Sequence, residues 1–396
     1  MSVQVSSIAH KIWKVLSCLL ICCMVLTVNA FPAWSQEQTD VKTEKNEQTE
    51  QTEQARKQNA IINVFFQGLY EVNTNNPPSG LNDFRPFDSR SNFISPDLLE
   101  VRVNQDPDRG RLGYRVKVTA GEIARRLHAR GLGTFDDYYD FTEFFLAYKV
   151  PIGRGLKVEA GKMNTHIGAE SLEAVLNQNY TRSFLWSNAE PATHTGLRLT
   201  YDLSSQVSLM GHIYNGWDNF NDTNAAKTLG LSMCYNPNDR VGMSFNMLNG
   251  QEPDNSTWNG DITNSYYNNR FIFNWVGSFR LSKKFLLVGN YDYAKQDNYI
   301  LDGTAATWGG FSLAGSYDFT DTFSLALRGE IFSDPQGYRT GFPQTLKELT
   351  LTPQFKVGKN VVIRPEYRYD WSDVRSFNDG STNNQSTIGI GVLVTF

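Results

Sequence analysis

Between Val361 and Trp371 apolar and charged residues alternate: Val361, Ile363, Tyr367, Tyr369 and Trp371 share one face of an extended chain, and Arg364, Glu366, Arg368 and Asp370 share the other. Successive side chains of a strand point to opposite faces, so this segment is a strand with one wholly charged side. A packed interior could not hold four charges in a row, because each buried charge needs a partner and costs several kcal/mol without one. The charged face is therefore wet, and the apolar face meets either protein or lipid. The same period of two runs from Asn59 to Phe396. In the last segment Ile388, Ile390, Val392, Val394 and Phe396 oppose Gly389, Gly391 and Thr395; further back, Phe271, Phe273, Trp275, Phe279 and Leu281 oppose Asn274, Ser278 and Arg280.

Composition narrows what such a pattern can build. Beyond the N-terminus there is no apolar run of the roughly 20 residues a membrane-spanning helix requires, which excludes a helical membrane bundle. With 41 acidic against 37 basic residues, the chain lacks the basic excess of a nucleic-acid-binding protein, and no nucleic-acid partner is expected. Mean hydropathy is −0.41, which suits a large soluble domain or a transmembrane β-barrel, since a barrel shows lipid only every second residue.

The connections favour the barrel. Short polar turns at Gly153-Arg154-Gly155, Ser204-Ser205, Ser282-Lys283-Lys284 and Gly358-Lys359-Asn360 alternate with long Asn/Asp/Gly-rich links. That is the signature of an up-and-down barrel with one end in the periplasm and the other outside. Sixteen alternating segments can be marked from Ile61 to Phe396, a count open to 14–18. The fold expected is all-β: a transmembrane antiparallel up-and-down β-barrel. Aromatic residues gather toward segment ends, as in Tyr291-x-Tyr293 and Tyr367-x-Tyr369-x-Trp371, where amphipathic rings would mark the lipid interfaces. Pro353 and Pro365 fall inside segments, where each removes a ladder donor, and bulges or local bends are expected there.

The N-terminus directs export. Lys11 and Lys14 precede the apolar stretch Val15 to Val28, followed by small-residue sites at Ala30 and Ala33-Trp34-Ser35. This reads as a secretory signal peptide, residues 1–35, with cleavage after Ser35 preferred and after Ala30 second. The apolar stretch is short for a membrane span, and Lys14 stands too close to Cys18 for a lipoprotein signal. Residues 36–58 are almost entirely Gln, Glu, Thr, Lys, Asn and Asp, too polar to bury a core, and read as a disordered periplasmic linker. Residues 59–396 would form the barrel.

Signal peptide, polar linker, alternating segments and terminal Phe396 together resemble a Gram-negative outer-membrane porin. More closely, GKMNTHIGAE from Gly161 and NQNYTRSFLWSNAEPATHTGLRLTYD from Asn177 are similar to the OmpL-like beta-barrel porin family. The resemblance implies a pore-forming outer-membrane barrel embedded in lipid, no catalytic residues, and a final strand ending in Phe396 that the barrel-insertion machinery reads. It supplies no solute. Monomer and homotrimer both remain open.

No Gly-x-Ser-x-Gly, His-Glu-x-x-His, Walker or dinucleotide motif occurs, so no enzyme activity and no cofactor are expected. His166, His194 and His212 could converge near the rim, but no ligand spacing supports a metal site. The pore function rests on an inward face where nine basic residues, Arg198, Arg280, Arg328, Arg364 and Arg368 among them, are balanced by nine carboxylates, Glu366 among them. That balance decides no ion selectivity, and passive diffusion of ions and small hydrophilic solutes is the activity expected. Ser278, Ser312 and Gly391 are read as inward positions that would tolerate a large side chain. The connection 164–193 is the third on the exterior side and carries a short helical pattern at Leu172, Val175 and Leu176, then Tyr180, Phe184 and Trp186. Outer loops seldom spend apolar residues so densely unless they pack, which points into the lumen. In that position Arg182 would face Glu170, Glu173 or Glu190 across the narrowest point. Two other classes share the alternation: a barrel with adhesin or enzymatic function, and a soluble secreted β-sandwich that binds carbohydrate.

Overall fold

The computed structural model describes residues 60–108, 111–134, 137–253, 267–299 and 303–396; residues 1–35 and 36–58, read from the sequence as signal peptide and linker, lie outside them. Sixteen strands form one antiparallel sheet that closes on itself, β1 pairing with β16 and every other strand with its neighbours in sequence. They are β1 (Ile61–Asn73), β2 (Phe93–Gln105), β3 (Leu112–Ala120), β4 (Tyr139–Val150), β5 (Leu156–Asn164), β6 (Thr193–Asp202), β7 (Val207–Tyr214) and β8 (Thr228–Asn238). The circuit continues through β9 (Val241–Pro253), β10 (Tyr267–Arg280), β11 (Phe285–Gln296), β12 (Ala306–Asp318), β13 (Phe323–Asp334), β14 (Gln344–Val357), β15 (Val361–Ser372) and β16 (Asn384–Thr395). A sandwich would leave sheet edges unpaired. Closure leaves none, and the soluble sandwich is set aside on that ground.

The alternation sets which way each strand faces. In β15 Arg364, Glu366, Arg368 and Asp370 are buried on the inside while Tyr367 stands out; in β16 Gln385, Thr387 and Leu393 are inside and Ile388 outside, and Phe396, just past the strand, is exposed. Tyr139, Phe141, Tyr291, Tyr293, Tyr317 and Phe319 are likewise exposed on the outer face or at its margin. Ile61 pairs with Asn104 and Phe65 with Thr395, so the start of β1, the end of β16 and the turn after β2 lie at one end. Every short turn falls at that end. The long connections, including 74–92, 121–138 and 165–192, fall at the other.

Pro353 and Pro365 correct one expectation: they make no bulge. Leu351 pairs with Tyr367 and Phe355 with Ile363, one unbroken register that sets the two prolines opposite each other. The pairs missing from the ladder are those whose bridges would use a proline N–H. A pair of facing prolines interrupts the hydrogen bonds locally without shifting any side chain to the other face. The irregularities in register occur elsewhere, at Gln67/Leu69, Lys117/Val118 and Tyr235/Asn238.

A barrel this wide cannot fill its interior with strand side chains alone. Both clusters of buried apolar residues draw on the 165–192 connection: Ile167, Phe184, Leu185 and Ala189 join one with Tyr214, Trp217 and Trp308, and Leu172, Ala174, Tyr180 and Trp186 join the other with Phe65, Leu98 and Leu393.

Candidate functional site

The β5–β6 connection crosses the lumen. On one side the Ala174 N–H donates to Gln67 of β1 (2.9 Å), and the Lys117 ammonium of β3 donates to Glu173 (2.5 Å). On the other, the Gly168 N–H reaches Asn274 of β10 (3.2 Å), the Gln178 amide reaches Ser316 of β12 (3.0 Å), and the Trp308 indole N–H donates to the Ala189 carbonyl (3.1 Å).

Strands β13 to β15 hold its backbone. Arg364 donates to the carbonyls of Ala174 (2.5 Å), Asn177 (2.8 Å) and Asn179 (3.2 Å). Arg368 donates to the Arg182 carbonyl (2.6 Å), and Arg328 to the Thr181 carbonyl (2.7 Å) and the Glu170 carboxylate (2.6 Å). Carboxylates take the N–H groups: Glu366 accepts from Tyr180 (2.7 Å) and Thr181 (3.0 Å), Glu330 from Phe184 (2.7 Å) and Leu185 (2.5 Å). A segment whose backbone is satisfied by strand charges has little need of helix. In place of the short helix expected there is one 3-10 turn, Ala174–Leu176, and one π turn, Leu185–Ala189.

The structure therefore places Arg328, Arg364, Glu366 and Arg368 beneath the loop, all nearly inaccessible, so none of the four lines open water. Arg198 and Arg280 are also inward but only partly buried. Glu170, besides Arg328, accepts from the N–H and hydroxyl of Ser183 (2.8 and 2.5 Å). Burial raises the pKa of Glu173, but the Lys117 ammonium and hydrogen bonds from Lys117 and Ser171 outweigh it and hold the carboxyl below the ordinary range. Glu190 takes the opposite course: burial and the adjoining Asp292 carboxyl push it well up, and Asn290 donates to it (2.9 Å). Arg182 meets none of the three glutamates. Its guanidinium donates to the carbonyls of Tyr180 (3.1 Å) and Leu172, closing the loop on itself, because those acceptors lie nearer than any carboxylate.

Gly391 corrects a second expectation. It is inward, but a Cβ there would lie 2.1 Å from the Tyr180 ring, so the loop fills the space a larger residue would need. Ser312 is buried on the same inner face. We expect Gly391→Val to cost about 1–3 kcal/mol as overpacking and to raise conductance by displacing Tyr180, read by refolding titration and single-channel recording. Wild-type values for both would mean that Tyr180 does not rest there.

A second inward segment, 74–92, was not read from the sequence. Arg85 pairs with Glu71 (2.9 Å), Asp88 and Asp370 (3.6 Å), and Phe87 packs on Trp186 at 4.9 Å between ring centroids. With Arg328–Glu348 (2.6 Å), Glu348–Arg368 (3.5 Å) and Arg368–Asp370 (2.6 Å), a chain of ion pairs runs from loop 165–192 to loop 74–92. The three histidines do meet, at the root of loop 165–192. His166 stacks on His212 (4.1 Å) and His194 on Tyr214 (4.3 Å). Faces rather than ring nitrogens are turned together. Among the described residues no group of three or more His, Cys, Asp or Glu is arranged to hold a metal ion.

A closed barrel with an apolar outer belt, a charged inner wall and a loop across the lumen defines an outer-membrane barrel of the porin class. Residues 62–396 match the family model described as "Putative beta-barrel porin-2, OmpL-like", and the chain belongs to that family. Solved structures share the fold. OmpT of Vibrio cholerae in its trimer form is 14% identical, with a TM-score of 0.57 over 85% of this chain and 99% of that one. The outer membrane channel DcaP of Acinetobacter baumannii is 11% identical, with a TM-score of 0.58 over 85% and 97%. An anion-selective porin from Comamonas acidovorans is 11% identical, with a TM-score of 0.57 over 85% and 99%. No curated protein matches the chain in sequence.

Proposed function

We propose that the chain forms a water-filled channel for passive diffusion of ions and small hydrophilic solutes, with loop 164–193 as its constriction. One observation carries this reading: the β5–β6 loop crosses a barrel whose inner wall is polar, its backbone held by the charges of β13 to β15 and, on the opposite side, by Gln67 of β1. Glu170, Glu173 and Glu190 act as its anchors to the wall, while Arg182 holds its internal shape. Export would proceed through cleavage of residues 1–35, leaving a mature start at Gln36, or at Phe31 if the second site is used, with no lipid attached. The exposed Phe396 and the outward face of β16 would be read by the insertion machinery. We assign the barrel no catalytic step, and a homotrimer is the assembly proposed, as OmpT has been solved in a trimer form.

Single-channel recording of detergent-purified protein in a planar bilayer tests the reading. Stepwise ohmic conductance is the expected result. A barrel that is heat-modifiable on gels, and so folded, but passes no current would overturn it. Intact-mass measurement on the same sample checks processing: an N-terminal acyl group or a retained Met1 would contradict the assigned cleavage.

A further inference from the structure

Counted along the sequence, inward charges cancel. The structure separates them by access to water. The loop and the ion-pair chain take up the charges of β13 to β15. On the wall from β2 to β6 the two signs then part company. Glu100, Glu143 and Glu159 are 3–5% exposed, the first two turned toward the buried Lys117 at 3.6 and 3.1 Å. Their basic neighbours reach further into the lumen: the side chains of Arg115 and Lys157 are 34% and 39% exposed, and Arg102 lines a cavity beneath the loop with Lys359, which Glu100 and Glu173 also border. Side-chain length explains the sorting. Carboxylates on short stems stay at the wall, whereas Arg and Lys lay their methylenes along it and carry the charge into water. The inward acids that remain well exposed, Asp202 and Asp318, are the last residues of β6 and β12, at the turn end where Lys356 and Arg280 also stand.

We propose, resting on the porin reading above, that the channel prefers small anions, inorganic or carboxylate, and that Arg102, Arg115 and Lys157 set this preference. Charges of one sign beside a narrowing decide which ion enters, and here the wetted sign is positive. The pairs Arg115–Glu143 (3.8 Å) and Lys157–Glu159 (3.2 Å) do not cancel it, because only the cation of each is open to solvent.

The test is the zero-current potential across a tenfold KCl gradient, first in wild type and then in the variant R102Q/R115Q/K157Q. We expect chloride to pass severalfold more readily than potassium in wild type, more so near 0.1 M salt, where the screening length is about 10 Å, than at 1 M. The variant should bring the ratio close to one, with conductance retained. Lys157→Glu, at an exposed position near the turn, should lower the ratio on its own and guards against a misfolded triple variant. Equal or cation-favouring permeation in wild type, or a ratio unmoved in both variants, overturns the proposal and leaves the porin reading standing. Absence of current from a folded, inserted barrel would remove both.

Discussion

Deleting Leu172 to Ser187 is expected to raise single-channel conductance severalfold while the barrel still inserts. The segment contributes Leu172, Tyr180, Phe184, Leu185 and Trp186, all buried, to the clusters that fill the lumen. Removing it exchanges packed side chains for water along the axis. The sheet itself does not depend on the segment, since the ladders join each strand to its neighbours and β1 to β16. Arg328, Glu330, Arg364, Glu366 and Arg368 would lose their backbone partners, yet each would face water rather than apolar packing, so the penalty of an unpaired buried charge does not apply. Joining the shortened ends is a small entropic change, because closure depends only logarithmically on loop length. The measurement is conductance in 1 M KCl, paired with heat-modifiability to establish folding. Unchanged conductance in a folded variant would take the loop out of the pore.

How much of this was legible depends on which forces leave a periodic trace. Strand facing did: a sheet between lipid and water must alternate, and a slip of one residue would turn Ile390 inward and Gly391 outward. The lumenal loop was visible through its unusual load of Leu, Phe, Tyr and Trp. Its anchoring was not. Arg364 recognises three carbonyls and Glu366 two N–H groups, and backbone atoms carry no residue-specific signal. Lys117 and Glu173, 56 residues apart, belong to a strand and a loop that only the closed barrel brings together. Segment 74–92 escaped notice because Arg85 and Phe87 stand in a stretch rich in Asn, Pro, Asp and Ser that reads as an ordinary surface turn. The balanced count of inward charges left out Glu71 and Glu348, both buried in ion pairs inside the barrel, and it was silent on selectivity, because exposure depends on which carboxylates the loop and Lys117 cover.

Arg placed at Leu313 or Ile390 is expected to destabilise the barrel by about 2–4 kcal/mol, and Arg at Ser278 by much less. Leu313 is 42% exposed on the outer face near the middle of β12. Ile390 lies mid-strand in β16, paired with Tyr70 and Pro365. A guanidinium at either point enters the hydrocarbon centre, where it must drag water inward or bend toward the headgroups. Ser278 belongs to the opposite face of β10, two residues before the strand ends, and its hydroxyl donates weakly to the Gly242 carbonyl at 3.4 Å. An arginine there has the lumen and the nearby turn end as its solvent. Ser312 and Gly391 are inward as well but cannot serve as controls, the first buried and the second covered by Tyr180. The readout is the midpoint of a urea titration for refolding into lipid vesicles. Equal shifts at Leu313, Ile390 and Ser278 would mean that the inner and outer faces have been exchanged, whereas a large penalty confined to the first two places lipid against the apolar face.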